Sequence, residues 1–207
     1  MATEKHLQHG IASLRSPLRY IQQHQLDVTQ CLENTGLTVE DIQSDHKTVP
    51  LPQVLRFYKN LRRVADDEHL GLKLGSDLHL ADYGIYGFAL MSASTLKQAL
   101  KLGIRLIALS YTTFSHTLIS HNNLAIHRMT PLQNYGEDLP MLTDREMSAV
   151  HLIYRELLHT PLQPEQINLT HDGGSNPDFY QRFFNCPVYF NQQHNELVVP
   201  ACVLDQE

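Results

Sequence analysis

Much that would mark a familiar activity is missing from this chain. Its three cysteines, Cys31, Cys186 and Cys202, are odd in number and far apart. That leaves neither a disulfide framework nor a C-x-x-C metal or redox motif. No apolar run reaches the roughly 18 residues of a membrane-spanning helix. The start, from Met1 to Gly10, also lacks the apolar segment of a signal peptide, so a cytoplasmic location and no membrane partner are expected. Positive charge is short as well: 16 Lys and Arg against 22 Asp and Glu give a net charge of -6. Such a balance repels phosphate, and no local basic stripe offsets it. There is no G-x-S-x-G elbow, phosphate-cradling G-x-x-x-x-G-K loop or H-E-x-x-H helix. Asp66-Asp67 and Glu137-Asp138 lie in hydrophilic stretches, and Asp172-Gly173-Gly174 reads as a turn. The expectation is therefore a protein that is not an enzyme and needs no cofactor.

What is present is organised around Tyr83 to Thr130. The apolar run from Gly84 to Met91 has the length and aromatic content of a buried strand. Thr95, with Gln98 three residues on, has the form of a capping box, and Leu96, Ala99, Leu100, Gly103, Leu106, Ile107, Ser110 and Phe114 recur at helical spacing. Ser115 to His121 and Leu124 to Met129 then alternate about Asn122-Asn123, a pair that tolerates positive φ. A two-residue turn fixes the register. His121 faces Leu124, Ile119 faces Ile126 and Thr117 faces Arg128, while the other face pairs Ser120 with Ala125, Leu118 with His127 and His116 with Met129. The apolar patch of Ile119, Leu124 and Ile126 is expected to receive the helix. The mixed face, with His116, Leu118, Ala125, His127 and Met129, then needs another cover: a second unit, a partner subunit or a ligand.

The order strand, helix, strand, strand recurs further on. Gln166 to His171 reads as a strand, Asn176-Pro177 opens a helix bearing Phe179, Phe183 and Phe184, and Val188 to Phe190 and Leu197 to Val199 follow as strands. The expected fold class is α+β, an N-terminal helical subdomain followed by two strand-helix-strand-strand units. The expected boundaries are 1–15 for a loose N-terminus, 16–80 for the helical subdomain, 81–200 for the α+β region and 201–207 for the start of a linker. Between the two units, Thr143 with Glu146 has capping-box form, and Met147, Val150, Ile153, Tyr154 and Leu157 make a helical stripe. That helix is expected to cap the core, the alternative being a dimer face.

In the N-terminal part, helix starts are signalled at Ser16-Pro17, Asp27 and Thr38, with Gly36 between the last two. The result superficially resembles a helix-turn-helix. Its second helix carries Glu40, Asp41 and Asp45, the wrong sign for a phosphate-lined groove. After Pro52, the residues Val54, Phe57, Tyr58, Leu61, Val64 and Ala65 form one helical face, with Arg56, Lys59, Arg62 and Arg63 outside. The acidic Asp66-Asp67-Glu68 that follows is expected to neutralise them within the fold.

Leu70-Gly71-Leu72-Lys73-Leu74-Gly75, then Tyr83 through Leu100 with its glycine-rich start and Thr95-Leu96, resembles the effector-binding N-terminal domain of one branch of the AraC-type bacterial transcription regulators. Val49-Pro50-Leu51 and the segment from Asn176-Pro177 to Val199 extend the resemblance to about Tyr20 to Asp205. It implies a small-molecule effector, a homodimer, and DNA binding only through a C-terminal pair of helix-turn-helix units. Pro200 to Glu207 lies about where the linker to that half would begin. In the expected pocket Tyr86 and Phe88 are apolar walls and His116 and His127 polar contacts, with Leu118 and Met129 on the same sheet face. Two other readings stand beside it. One is a domain that only oligomerises. The other is a haem or metal sensor built on some of the thirteen histidines, for which His6-x-x-His9 and His116, His121 and His127 are the candidates.

Overall fold

The computed structural model describes residues 8–44, 48–107, 113–158 and 161–206. The expectations for the first seven residues, His6 among them, and for Asp45 and Ser110 fall outside these. The chain divides into two compact units, Met1–Leu70 and Gly71–Glu207.

The first unit is helical. It comprises α1 (Arg15–Gln23), α2 (Val28–Leu32), α3 (Val39–Gln43) and α4 (Leu51–Ala65), with a short antiparallel pair of β1 (Gln8–Gly10) and β2 (Thr48–Pro50). The start signals at Asp27 and Thr38 hold, whereas α1 begins at Arg15, before Ser16-Pro17, with Leu14 at its N-cap and no side-chain cap. The Asp27 carboxylate accepts from the backbone of Thr29 and Gln30, and Thr38 and Asp41 cap α3 reciprocally. Leu18, Ile21, Cys31, Ile42, Val54, Phe57 and Leu61 fill the core. On the basic outer face of α4, Arg63 is neutralised within the fold by Glu33 at 3.0 Å.

The second unit holds one five-stranded sheet with strand order β3-β4-β7-β5-β6. Its strands are β3 (Phe114–His121), β4 (Leu124–Pro131), β5 (Gln166–Asn168), β6 (Val188–Tyr189) and β7 (Asn195–Pro200). β5 and β6 are parallel and joined through α9 (Pro177–Phe184); the other neighbours are antiparallel. The helices are α5 (Leu70–Ser76, starting at the last residue of the first unit), α6 (Ile85–Met91), α7 (Leu96–Arg105) and α8 (Leu139–Leu158). The α+β class holds, and the second unit of the sequence reading forms in its expected order. The hairpin register is the one the Asn122-Asn123 turn dictates, pair for pair, and Asn122 takes φ 51°.

Three further expectations are corrected. Gly84 to Met91 is not a strand: from Ile85 it is helix α6, so the first unit runs helix, helix, strand, strand. An eight-residue apolar run carries no period that separates a buried strand from a helix with apolar residues on both sides. The covered face of the hairpin is the mixed one. His116, Ala125, His127 and Met129 are buried, whereas Ile119, Leu124 and Ile126 are only partly so. Finally, α8 begins at Leu139, four residues before Thr143, so Thr143 and Glu146 cap nothing and are buried inside the helix.

Helix α8 is the centre of this unit. Asp144, Arg145 and Glu146 are all buried, as are Met141, Met147, Val150, Ile153 and Tyr154. Buried charge is costly unless partnered, and partners are supplied. Asp144 accepts from the Tyr180 hydroxyl at 2.8 Å and bonds His171 at 2.9 Å, while Ser148 donates to the Leu72 carbonyl at 2.8 Å. Helix α5 reaches α8 through Gly71 and Gly75, one turn apart. A Cβ at either position would collide with the carbonyl oxygen of Met141 or Arg145. Only glycine permits that approach.

Candidate functional site

Three helical stripes and one sheet face enclose a cavity of about 40 Å³. Helix α6 contributes Tyr86 and Leu90, four residues apart; α7 contributes Leu100, Gly103 and Ile104, with Ile107 just past its end; α8 contributes Glu146, Val150, Ile153 and Tyr154. Each set follows the i, i+3, i+4, i+7 spacing of one helix face. The sheet contributes His116 and His127, diagonal neighbours on β3 and β4. Close packing holds the wall together. A Cβ on Gly103 would lie 2.9 Å from the Tyr86 hydroxyl, which brings α7 directly against α6.

The polar groups of this wall form a chain. Glu146 Oε1 is 3.1 Å from His116 Nε2, His116 Nδ1 is 2.9 Å from His127 Nε2, and His127 Nδ1 is 3.1 Å from the Tyr154 hydroxyl. With Glu146 as a carboxylate and both imidazoles neutral, one direction satisfies every group. His116 donates through Nε2 to Glu146, His127 donates through Nε2 to His116, and Tyr154 donates to His127. Burial, with His116 alongside, holds His127 well below the ordinary imidazole range, so His127 is neutral. Arg145 lies 3.7 Å from the second oxygen of Glu146. Burial raises Tyr154, and burial with the nearby Glu146 raises Tyr86, so both phenols stay protonated. The Tyr86 hydroxyl has no hydrogen-bond partner among the described residues.

Of the residues singled out in the sequence, Tyr86, His116 and His127 line the cavity. Met129 is buried on the same sheet face and Leu118 is partly buried there, but neither lines it. Phe88 is 67% exposed and points away. The reason is the helical conformation of α6. Two residues apart on a strand share a face, whereas on a helix they stand about 200° apart. Glu146 and Tyr154, the two ends of the chain, were missed as site residues because they sat in the pattern as a cap and a core position. No group of three or more metal-ligating side chains converges among the described residues.

Beside the chain lies a histidine with a different environment. His151 is buried edge-on against Phe184 at 5.3 Å, and its Nε2 has no partner. Burial, with Arg155 nearby, lowers it from 6.5 to about 4. The unfolded chain therefore takes up this proton first as pH falls. Stability from His151 is fully present above about 6.5 and declines from there down to about 4, and His127 acts in the same direction. A His151→Leu variant is expected to show a shallower fall in melting temperature between pH 6.5 and 4 than the wild type. An unchanged slope would show that His151 titrates normally.

Comparison with known proteins points one way. Residues 26–207 match the model of the arabinose-binding domain of AraC transcription regulators, N-terminal. HTH-type transcriptional regulators of Mycobacterium bovis and Mycobacterium tuberculosis are each 26% identical over 105 residues, which is 50% of this chain and 30% of theirs. The crystal structure of the transcriptional regulator CdpR from Pseudomonas aeruginosa shares the fold with a TM-score of 0.67 at 18% identity, over 94% of this chain and 56% of that one. The match thus spans under a third of the length of those curated relatives. Among the described residues no helix is long and apolar enough to cross a membrane.

Proposed function

Because the chain belongs to the family of the arabinose-binding N-terminal domain of AraC transcription regulators, we propose that it senses a small-molecule effector in the cavity between α6, α7, α8 and the histidine face of the sheet. The observation that carries this reading is the convergence of a buried, hydrogen-bonded polar chain and a Tyr86 hydroxyl with no partner among the described residues on a wall that also carries Leu, Ile and Val. Sites for small molecules have this composition, a mostly apolar lining with a few placed polar groups. The sugar in the family's description does not transfer with it. A sugar's ring of hydroxyls needs many polar partners, and most polar groups of this wall are already bonded to one another, Glu146 to His116, His116 to His127 and His127 to Tyr154.

A cavity of about 40 Å³ holds water rather than a ring-sized molecule. Effector binding therefore requires the wall to open. Helix α6 is suited to move. It is seven residues long, and Gly84 before it takes φ 55° and ψ -129°, a conformation restricted to glycine. Its inner side carries Tyr86 and Leu90, and its outer side exposes Ile85, Phe88 and Met91. An effector that favours the open wall shifts the population toward it, by no more than its differential affinity for the two arrangements. In this proposal the displaced α6 alters contacts with a second copy of the chain, and DNA is reached through a separate helix-turn-helix unit.

A screen of amino acids, sugars, alcohols, aromatic acids and fatty acids by thermal shift tests the reading, since a ligand of the folded state raises its apparent stability. At least one reproducible rise in melting temperature is expected. The small size of the cavity favours a second reading, in which the domain only oligomerises. Silence across the panel from a protein that is dimeric in solution would support that one instead.

A further inference from the structure

Taking the cavity as the effector site, we infer that it accepts an uncharged, largely apolar molecule carrying a single hydroxyl or carbonyl anchored on the Tyr86 hydroxyl, and that it rejects carboxylates and ammonium ions. The inference comes from counting charges and donors on the wall. Among the described residues no Lys or Arg lines the cavity, and Glu146 is its one acidic residue. Because Glu146 already has Arg145 at 3.7 Å, an incoming carboxylate would leave a net negative charge on the wall, with no Lys or Arg in the lining to hold it. At low dielectric that charge is not screened away.

A cation fares little better. The negative charge of Glu146 is already answered by the Nε2 donor of His116 at 3.1 Å and by the Arg145 guanidinium at 3.7 Å. An added ammonium group would leave a net positive charge inside an apolar wall, and burying an uncompensated charge is expensive. The donors are equally committed. In the direction that satisfies every group, the N–H groups of His116 and His127 and the O–H of Tyr154 are all spent within the chain. Tyr83, the third phenol of the lining, has interactions of its own, so what remains for a ligand is the Tyr86 hydroxyl as donor and acceptor, together with a lone pair on Tyr154. One neutral polar group matches this inventory, and the rest of the ligand must be apolar to suit Leu90, Leu100, Ile104 and Val150.

A matched series separates the classes. Cyclohexylmethanol, cyclohexylmethylamine and cyclohexanecarboxylate have similar apolar bodies, so the cost of opening the wall is common to all three and cancels in the comparison. Each is titrated at pH 7.5 against the wild type and Tyr86→Phe, with melting temperature as the readout. The expected result is a rise of about 3–6 °C with the alcohol at tenfold over its Kd. The amine and the carboxylate should give no rise at the same concentrations, and most of the alcohol's effect should be lost in Tyr86→Phe. The ligand-free melting temperature of the variant reports that it is folded. A rise with the carboxylate or the amine equal to that with the alcohol overturns the charge rule while leaving the cavity as a binding site. An equal rise in Tyr86→Phe overturns the anchor. No rise with any of the three overturns both the class and the use of this cavity for effectors.

Discussion

Replacing Gly75 by Val is expected to destabilise the second unit by about 3 kcal/mol, or roughly 6–12 °C in melting temperature for a chain of this size. Gly75 faces the α8 backbone so closely that its missing Cβ would overlap the Arg145 carbonyl oxygen, with the Ser148 Cβ at 2.7 Å and the Ala149 nitrogen at 2.9 Å. Those neighbours are mostly backbone, so no rotamer change relieves the clash and the two helices must separate. Separation would also weaken the bond from Ser148 to the Leu72 carbonyl. Ser76→Ala, on the exposed side of the same helix, is expected to stay within about 0.5 kcal/mol. Denaturant unfolding of both variants decides the matter. A Gly75→Val protein as stable as the wild type would mean that α5 does not pack on α8 as described.

The second large effect is expected at Glu146. Truncating one partner of a buried charged network costs about 3–5 kcal/mol, because the groups left behind remain desolvated. Glu146→Leu takes the acceptor from His116 Nε2 and the counter-charge from Arg145, whose side chain is 4% exposed. The effect should not be additive. Once the carboxylate is gone, His116 is a liability, so Glu146→Leu combined with His116→Phe should be less destabilised than the sum of the two single changes. Strict additivity in the double-mutant cycle would show that His116 and Glu146 are not coupled. Glu165→Ala, an exposed carboxylate, serves as the near-neutral reference.

These residues also show what could be read from the chain before its fold was known. The hairpin register was legible to the residue because Asn122-Asn123 leaves only a two-residue turn, and a one-residue slip would move every side chain to the other face. Which face would be covered was not legible. That depends on α8 placing Glu146 and Tyr154 opposite His116 and His127, more than twenty residues away in the sequence. A run such as Thr143-Asp144-Arg145-Glu146 looks solvated by composition alone. Only the tertiary partners, His171 and Tyr180 for Asp144 and His116 for Glu146, make it core. The two-sided apolar helix α6 misled for a related reason: Ile85, Phe88 and Met91 erase the period that Tyr86 and Leu90 would have shown. Gly71 and Gly75 were visible as a pattern, and the structure supplies the reason for the pattern in the approach of α5 to α8.

The most direct test is calorimetric titration of the strongest compound from the effector screen into three proteins: the wild type, Ile104→Phe and Phe88→Ser. Ile104 is a partly buried residue of the cavity wall, so a phenyl group there fills the space without crowding the innermost core, while Phe88 lies on the outer side of α6. Binding within the cavity predicts an affinity lowered at least about tenfold, or roughly 1.4 kcal/mol, in Ile104→Phe and an unchanged affinity in Phe88→Ser. Unchanged binding by Ile104→Phe together with loss in Phe88→Ser would contradict it, and would place the ligand on the outer face of α6.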